Sequence, residues 1–173
     1  MTDRVRVRER TEADLVALSD LLVRVHAHDG YPVEGVAHPR AWLTDPGFLR
    51  SWVAEHDGAI VGQVSLAEPE GADAVALWSE RTGRASDEAA VLARLFVSPG
   101  ARGRGVGASL TRTVMDHASL HGSALVLDVM AKDRAATRLY ERLGWERLGA
   151  ITHAFDGSPG VPAYCYVWDS STR

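Results

Sequence analysis

Three glycines and two arginines fall within six residues, Arg102-Gly103-Arg104-Gly105-Val106-Gly107, between an apolar run and a helical one. Glycine has no Cβ, so the backbone there can turn tightly and come close to a ligand. A helix beginning near Gly105 leaves its first N–H groups without partners. The helix dipole adds partial positive charge at the same end. Peptide amides gathered beside positive charge suit a diphosphate, and the two guanidinium groups add charge-assisted hydrogen bonds. Two chemistries use such a grip. Gly103-x-Gly105-x-x-Ala108 satisfies a dinucleotide fingerprint, and Asp128 ends a later apolar run where a ribose-binding acid belongs. Against a dinucleotide, Ser98 to Arg102 intervene between the preceding strand and the first glycine, and the fingerprint lies past the middle of the chain.

The elements that position this loop read as follows. Val91 to Val97 is mostly apolar, as in a strand covered on both faces. Val106, Leu110, Val114 and Ala118 recur every four residues and predict a helix with one buried face. Ala124 to Met130 predicts a second buried strand. Ala136, Leu139, Tyr140 and Leu143 mark another helix, with Gly144 at its C-terminal end. Upstream, Val5 to Glu9 alternates as an edge strand does, and Thr11 and Asp14 form a capping-box-like start for a helix carrying Leu15, Leu18, Leu22 and Val25. Two apolar runs flank Asp57-Gly58 and predict a tight hairpin. Residues 26–39 are a Gly- and Pro-broken corner, 40–50 are ambiguous, and 69–87 read as an insertion with a helix over Ala72 to Glu80. Trp145 to Ile151 and Val161 to Trp168 close the order as strands. The expected architecture is α/β, helices layered over a mixed sheet.

Within that frame the loop is also Arg102-x-x-Gly105-x-Gly107, which resembles the Gln/Arg-x-x-Gly-x-Gly/Ala signature of the GNAT N-acyltransferase superfamily. The stretch LARLFVSPGARGRGVGASL resembles that family's fourth strand, loop and third helix. DRAATRLYERLGW, Asp133 to Trp145, is similar to its later helix motif, with Asp133 in place of the usual Asn. The resemblance covers 91–145 in motif detail and the element order from Val5 onward. It implies a single domain over 1–173 with a mixed, mostly antiparallel sheet, strands four and five splayed apart, and flanking helices.

The resemblance further implies acetyl-CoA as acyl donor, with direct transfer to a primary amine in a ternary complex. Leu95, Phe96 and Val97 would pair with pantetheine and steady the thioester carbonyl. Arg102, Gly103, Arg104, Gly105, Val106, Gly107 and Ala108 would hold the diphosphate. Tyr140 stands where relatives place a general acid, and a phenol there can protonate the leaving thiolate; its ring can equally be packing. Asp133 would sit near the cofactor arm, although an ionised carboxylate cannot donate and can cap its own helix instead. Relatives often carry a Glu base on the fourth strand; here Glu88 and Asp87 come just before it, with His26, His28 and His38 as alternatives.

Composition narrows the rest. With 19 basic and 23 acidic residues the net charge is -4, which disfavours nucleic-acid binding. No run reaches the ~20 apolar residues of a membrane span, and a cytoplasmic location is expected. Cys165 is the one cysteine, more suited to core than to nucleophilic work. His117 and His121 share a helix face without the Glu of a zinc motif, and no metal is expected. Trp78 on the insertion helix is the aromatic expected to line an acceptor pocket. Asp29, Glu34 and Glu70 hint at a cationic acceptor or are simply a solvated rim. A small NAD(P)-binding module, a non-catalytic acyl-CoA sensor and a homodimer stay open at this stage.

Overall fold

The computed structural model describes residues 4–154 and 159–172. The element order is β1 (Arg6–Glu9), α1 (Leu15–Asp29), α2 (Pro39–Leu43), β2 (Phe48–His56), β3 (Ala59–Ala67), α3 (Asp73–Thr82), β4 (Ala89–Val97), α4 (Val106–His121), β5 (Ala124–Met130), α5 (Arg134–Arg142), β6 (Glu146–His153) and β7 (Val161–Trp168). The strands hydrogen-bond in the order β1-β2-β3-β4-β5-β7-β6. β4 and β5 pair in parallel, Ala89–Val91 against Ala124–Val126, while β4 runs on to Val97 and β5 to Met130. The pairs β1–β2, β2–β3, β5–β7 and β6–β7 are antiparallel. This is the mixed, mostly antiparallel α/β sheet that the sequence predicts. The ambiguous stretch 40–50 resolves into α2, opened by Pro39 in the first turn where no N–H is needed, and the start of β2.

The chain divides into two compact units, 1–67 with 93–114, and 68–92 with 115–173. In the first, the leucine spacing of α1 becomes a core: Leu15, Leu18, Leu21, Leu22 and Val25 bury against Leu43, Val53 and Phe96. The hairpin between β2 and β3 turns through Asp57 and Gly58, both at positive φ, the geometry whose twist matches the flanking strands. In the second unit α3 packs on β5, β6 and β7. Trp78, Leu125, Leu127, Cys165 and Tyr166 are fully or almost fully buried there.

Asp14 is the most constrained carboxylate of the first unit. It is 7 % exposed. Both of its oxygens accept from Arg8 at 2.8 Å, and one also accepts from the Thr11 N–H at 2.7 Å. Arg8 in turn donates to Glu55 of β2 at 2.9 Å. The cap read from Thr11 and Asp14 is therefore also a cross-link from the entry of α1 to β1 and β2. The guanidinium of Arg8, against some opposing desolvation, holds the Asp14 carboxyl down at about 2. A depressed carboxylate stabilises the fold above its unfolded value and loses that contribution as pH falls through its folded one. We expect Asp14→Asn to lower unfolding free energy by about 2 kcal/mol at pH 7. The difference from the parent should shrink between about pH 4 and pH 2. Urea denaturation across that range checks it; a pH-independent difference would assign the loss to packing instead.

Candidate active site

The glycine loop lies in the first unit, between the end of β4 and the mouth of α4. Its base is fixed. The Ser98 N–H donates to the Val61 carbonyl of β3 at 2.7 Å, and Ala101, the last residue of a short 3-10 turn over Pro99–Ala101, is buried. The chain then passes through Gly103 at φ 78° and Gly105 at φ 77°, left-handed conformations that side chains resist. A Cβ built on either glycine meets nothing within 4 Å. Glycine is thus required by the turn rather than by crowding, and the surface above it is open. The first helical bond runs from the Ser109 N–H to the Gly105 carbonyl at 3.0 Å. The N–H groups of Val106, Gly107 and Ala108 precede it and lie where a helix offers no carbonyl partners.

Gly62 of β3 sets how closely α4 approaches the sheet. A Cβ there would stand 2.9 Å from the Phe96 carbonyl and 3.2 Å from both Val106 and Leu110. With a bare backbone at Gly62, the first turns of α4 settle onto the strand through Val106 and Leu110. Phe96 is buried, whereas Leu95 and Val97 are half-buried.

The arginines do not simply await an anion. Arg102 pairs with Asp29 at the end of α1 (2.6 Å) and donates to the Val97 carbonyl at 3.3 Å, so it braces the loop it belongs to. Sequence reasoning missed Arg94. It sits in the middle of β4 at φ 56°, the conformation of a turn rather than of a strand. Gln63, fully buried in β3, donates to the Arg94 carbonyl at 2.6 Å, and its own oxygen accepts from Arg10 at 3.1 Å. Arg10 also reaches the Leu43 carbonyl at 2.8 Å, and burial lowers its pKa from the usual guanidinium value. The Arg94 side chain lies over the ring of Trp42 at 4.4 Å and pairs with Glu34 at 3.2 Å. Of the acids read as hints of a cationic acceptor, Asp29 and Glu34 are therefore matched by arginines.

The remaining candidates belong to the second unit. Tyr140 is 5 % exposed, its ring 5.6 Å from Trp145 and 6.2 Å from Tyr166. Asp133 accepts from the Ala136 N–H at 3.1 Å and caps α5. Glu88 accepts from Arg84 at 3.3 Å with one oxygen and from the Ala85 N–H at 2.9 Å with the other. Both oxygens of that candidate base thus have local donors. Burial pushes the Cys165 thiol up to about 11, so it stays protonated and inert. His117 and His121 stack with ring centroids 4.3 Å apart. Trp78 corrects an expectation: it is 1 % exposed and belongs to the core, with Arg84 over its ring at 5.1 Å. Its spacing from Ala74 was a packing signal, because side chains four apart share one helix face. Half-buried Trp42 also faces a charged group, Arg94.

The order of elements and strands accords with what comparison with known proteins finds. A family model described as Acetyltransferase (GNAT) family matches residues 15–145. The chain belongs to the GNAT acetyltransferase family. It is 36 % identical over 103 residues to an N-acetylaspartate synthetase of Rattus norvegicus, covering 59 % of this chain and 29 % of that protein. The match thus spans less than a third of that relative's length. Among solved structures, an N-acetyltransferase of Staphylococcus aureus Mu50 superposes with a TM-score of 0.74 at 16 % identity, over 96 % of this chain and 98 % of that one. A putative acetyltransferase of Salmonella typhimurium with its cofactor acetyl-CoA superposes with a TM-score of 0.69 at 17 % identity, over 95 % and 93 %. At those identities the structural likeness shows the fold.

In its own residues this GNAT chain has open space above two left-handed glycines and a helix mouth whose first N–H groups have no carbonyl partner within the helix. Replacing Gly105 by aspartate would place an anionic side chain at that mouth and force an L-residue into a left-handed turn. We expect Gly105→Asp to weaken acetyl-CoA binding by about 100-fold or more, equivalent to roughly 2.7 kcal/mol. Isothermal titration calorimetry reads this, and an affinity within twofold of the parent would remove the loop from the binding site.

Proposed function

We propose that the chain is an acetyl-CoA-dependent N-acetyltransferase that acetylates a primary amine by direct attack, with donor and acceptor bound together. The observation that carries this reading is the mouth of α4: Val106, Gly107 and Ala108 open the helix just after Gly103 and Gly105, beyond a strand that takes a positive φ at Arg94. Family membership and a structural neighbour whose cofactor is acetyl-CoA support the donor. They favour this donor over a dinucleotide at Gly103, Gly105 and Ala108. The relatives' lengths leave the rest of the assignment to chemistry.

Acetyl-CoA supplies the activated acetyl group as a thioester. The chain's residues bind and orient it. Amides at the α4 mouth neutralise the diphosphate without mobile cations. Alternate residues of a strand turn their peptide groups to opposite edges. The Phe96 carbonyl lies against Gly62, so the peptide groups of Leu95 and Val97 are directed away from β3. They form our proposed contact with the pantetheine arm. An N–H aimed at the thioester oxygen also stabilises the charge that develops there. The amine nitrogen forms a bond to the acetyl carbon as the carbon–sulfur bond breaks. Tyr140 is the donor we assign to the departing thiolate. Its nearly complete burial limits competing water. The acceptor's ammonium loses one proton before attack, for which Glu88, beside its Arg84 and Ala85 donors, is our candidate base, and the proton left on the nitrogen after attack returns to the Tyr140 phenolate.

Two linked measurements test this. Acetyl-CoA should raise the melting temperature, and NAD(P)H should not. With amines supplied as a panel, free thiol should appear at a rate that Tyr140→Phe lowers by about 10²-fold, the lower end of a general-acid contribution. The acetyl-CoA affinity should be preserved. Stabilisation by NADPH alone would overturn the donor; binding without thiol release from any amine would point to an acyl-CoA sensor; full turnover by the phenylalanine variant would leave Tyr140 a packing role.

A further inference from the structure

The side chain of Arg94 is arranged unlike any other arginine in the first unit. Its backbone is held at φ 56° in the middle of a strand, a conformation that a residue with a Cβ adopts only when its surroundings impose it. Here Gln63 imposes it through the Arg94 carbonyl. The guanidinium lies 4.4 Å from the ring of Trp42 and 5.6 Å from that of Phe48, a cation between two π faces. Trp42 is itself fixed, edge-on to Tyr31 at 5.8 Å and tilted against Phe96 at 5.9 Å. The platform is thus set before any ligand arrives.

The hydrogen bonding of that guanidinium is incomplete. Its Nε is buried without a partner. Nη1 donates to Glu34 at 3.2 Å, and among the described residues Nη2 has no hydrogen-bond partner. Glu34 is an exposed residue on the α1–α2 connection, and the same oxygen also accepts from Trp42 Nε1 at 2.5 Å. A planar guanidinium with an unused donor, stacked on aromatics and contacted by one exposed carboxylate oxygen, presents the fork that recognises a carboxylate bidentately. Glu34 occupies one tine of that fork.

We propose that Arg94 is a specificity-determining residue that binds the carboxylate of the acceptor, so that the acetylated amine belongs to an amino acid or another small carboxylate-bearing amine, with Glu34 holding the guanidinium in place until the acceptor's carboxylate displaces it. This rests on the acetyl-transfer reading above and adds to it the class of acceptor. The stacked geometry of this one side chain, in a chain of net charge -4, is what presents a cation to an anionic acceptor. It also accounts for a polar residue at the centre of an otherwise apolar strand, Val-Leu-Ala-Arg-Leu-Phe-Val.

The test uses the full chain saturated with coenzyme A. A panel of free amino acids is titrated beside the corresponding carboxamides, which keep the amine and lose the anion. Free amino acids should bind the parent at least tenfold more tightly than their amides. Arg94→Met should abolish that preference and leave coenzyme A affinity within twofold, and Arg94→Lys should restore part of it. Glu34→Gln should tighten binding of the free amino acids several-fold, because it removes the competing carboxylate; a merely structural ion pair would not produce that gain. Equal binding of acids and amides by the parent, no binding of either, or weaker binding in Glu34→Gln would overturn the inference. Failure of the parent to bind coenzyme A would instead strike the acetyl-transfer reading, and the two failures are told apart by that first titration.

Discussion

One backbone position constrains much of the first unit: Arg94, turned into the left-handed region within a nine-residue strand. Such a turn is unfavourable for an L-residue unless its peptide groups find other partners. Buried Gln63 supplies one, and Arg10 orients Gln63 by donating to its oxygen. The kink therefore depends on a chain of hydrogen bonds that crosses from the end of β1 through β3 to β4. It divides β4 between a first half in parallel register with β5 and a second half ending in the glycine loop. The same residue throws its side chain onto Trp42. Backbone irregularity and the charged platform share this residue.

Charge in the first unit is distributed to fix geometry before binding. Arg102 braces the loop through Asp29 and Val97, Arg8 locks Asp14, and Arg94 rests against Glu34. Surface ion pairs contribute little stability on their own, typically 0–1 kcal/mol. Their value here is orientation: each cation is positioned without being fully consumed, except Arg8, whose bidentate contact with a nearly buried carboxylate is structural. Gly62 contributes in the opposite manner, by having no side chain where the α4 turn must close onto the sheet.

Much of this was legible in the residue order. The spacing of Val106, Leu110, Val114 and Ala118 predicts α4, the apolar run at 124–130 predicts β5 with matching bounds, and Asp57-Gly58 predicts the hairpin. These are local patterns, in which periodicity or turn chemistry decides the outcome. The Arg102–Gly107 motif was visible because glycine spacing encodes a backbone need directly. The kink at Arg94 was not, because no local signal marks a non-glycine residue for positive φ; Gln63, 31 residues earlier, decides it. The pairing of Asp29 and Glu34 with arginines was likewise a tertiary matter. Trp78 was misread because tryptophan on an insertion suggests a pocket, although its spacing from Ala74 already pointed to packing.

The central claim is that peptide N–H groups at the mouth of α4 grasp the diphosphate of coenzyme A. Amide chemical shifts in a uniformly 15N-labelled chain, followed as 3′-phosphoadenosine diphosphate is added, test it most directly. The amides of Gly105 to Ala108 should move first and furthest, saturating together, as charge-assisted hydrogen bonds to phosphate form. Saturable binding with those four resonances unmoved, and with the large shifts at another element, would contradict it.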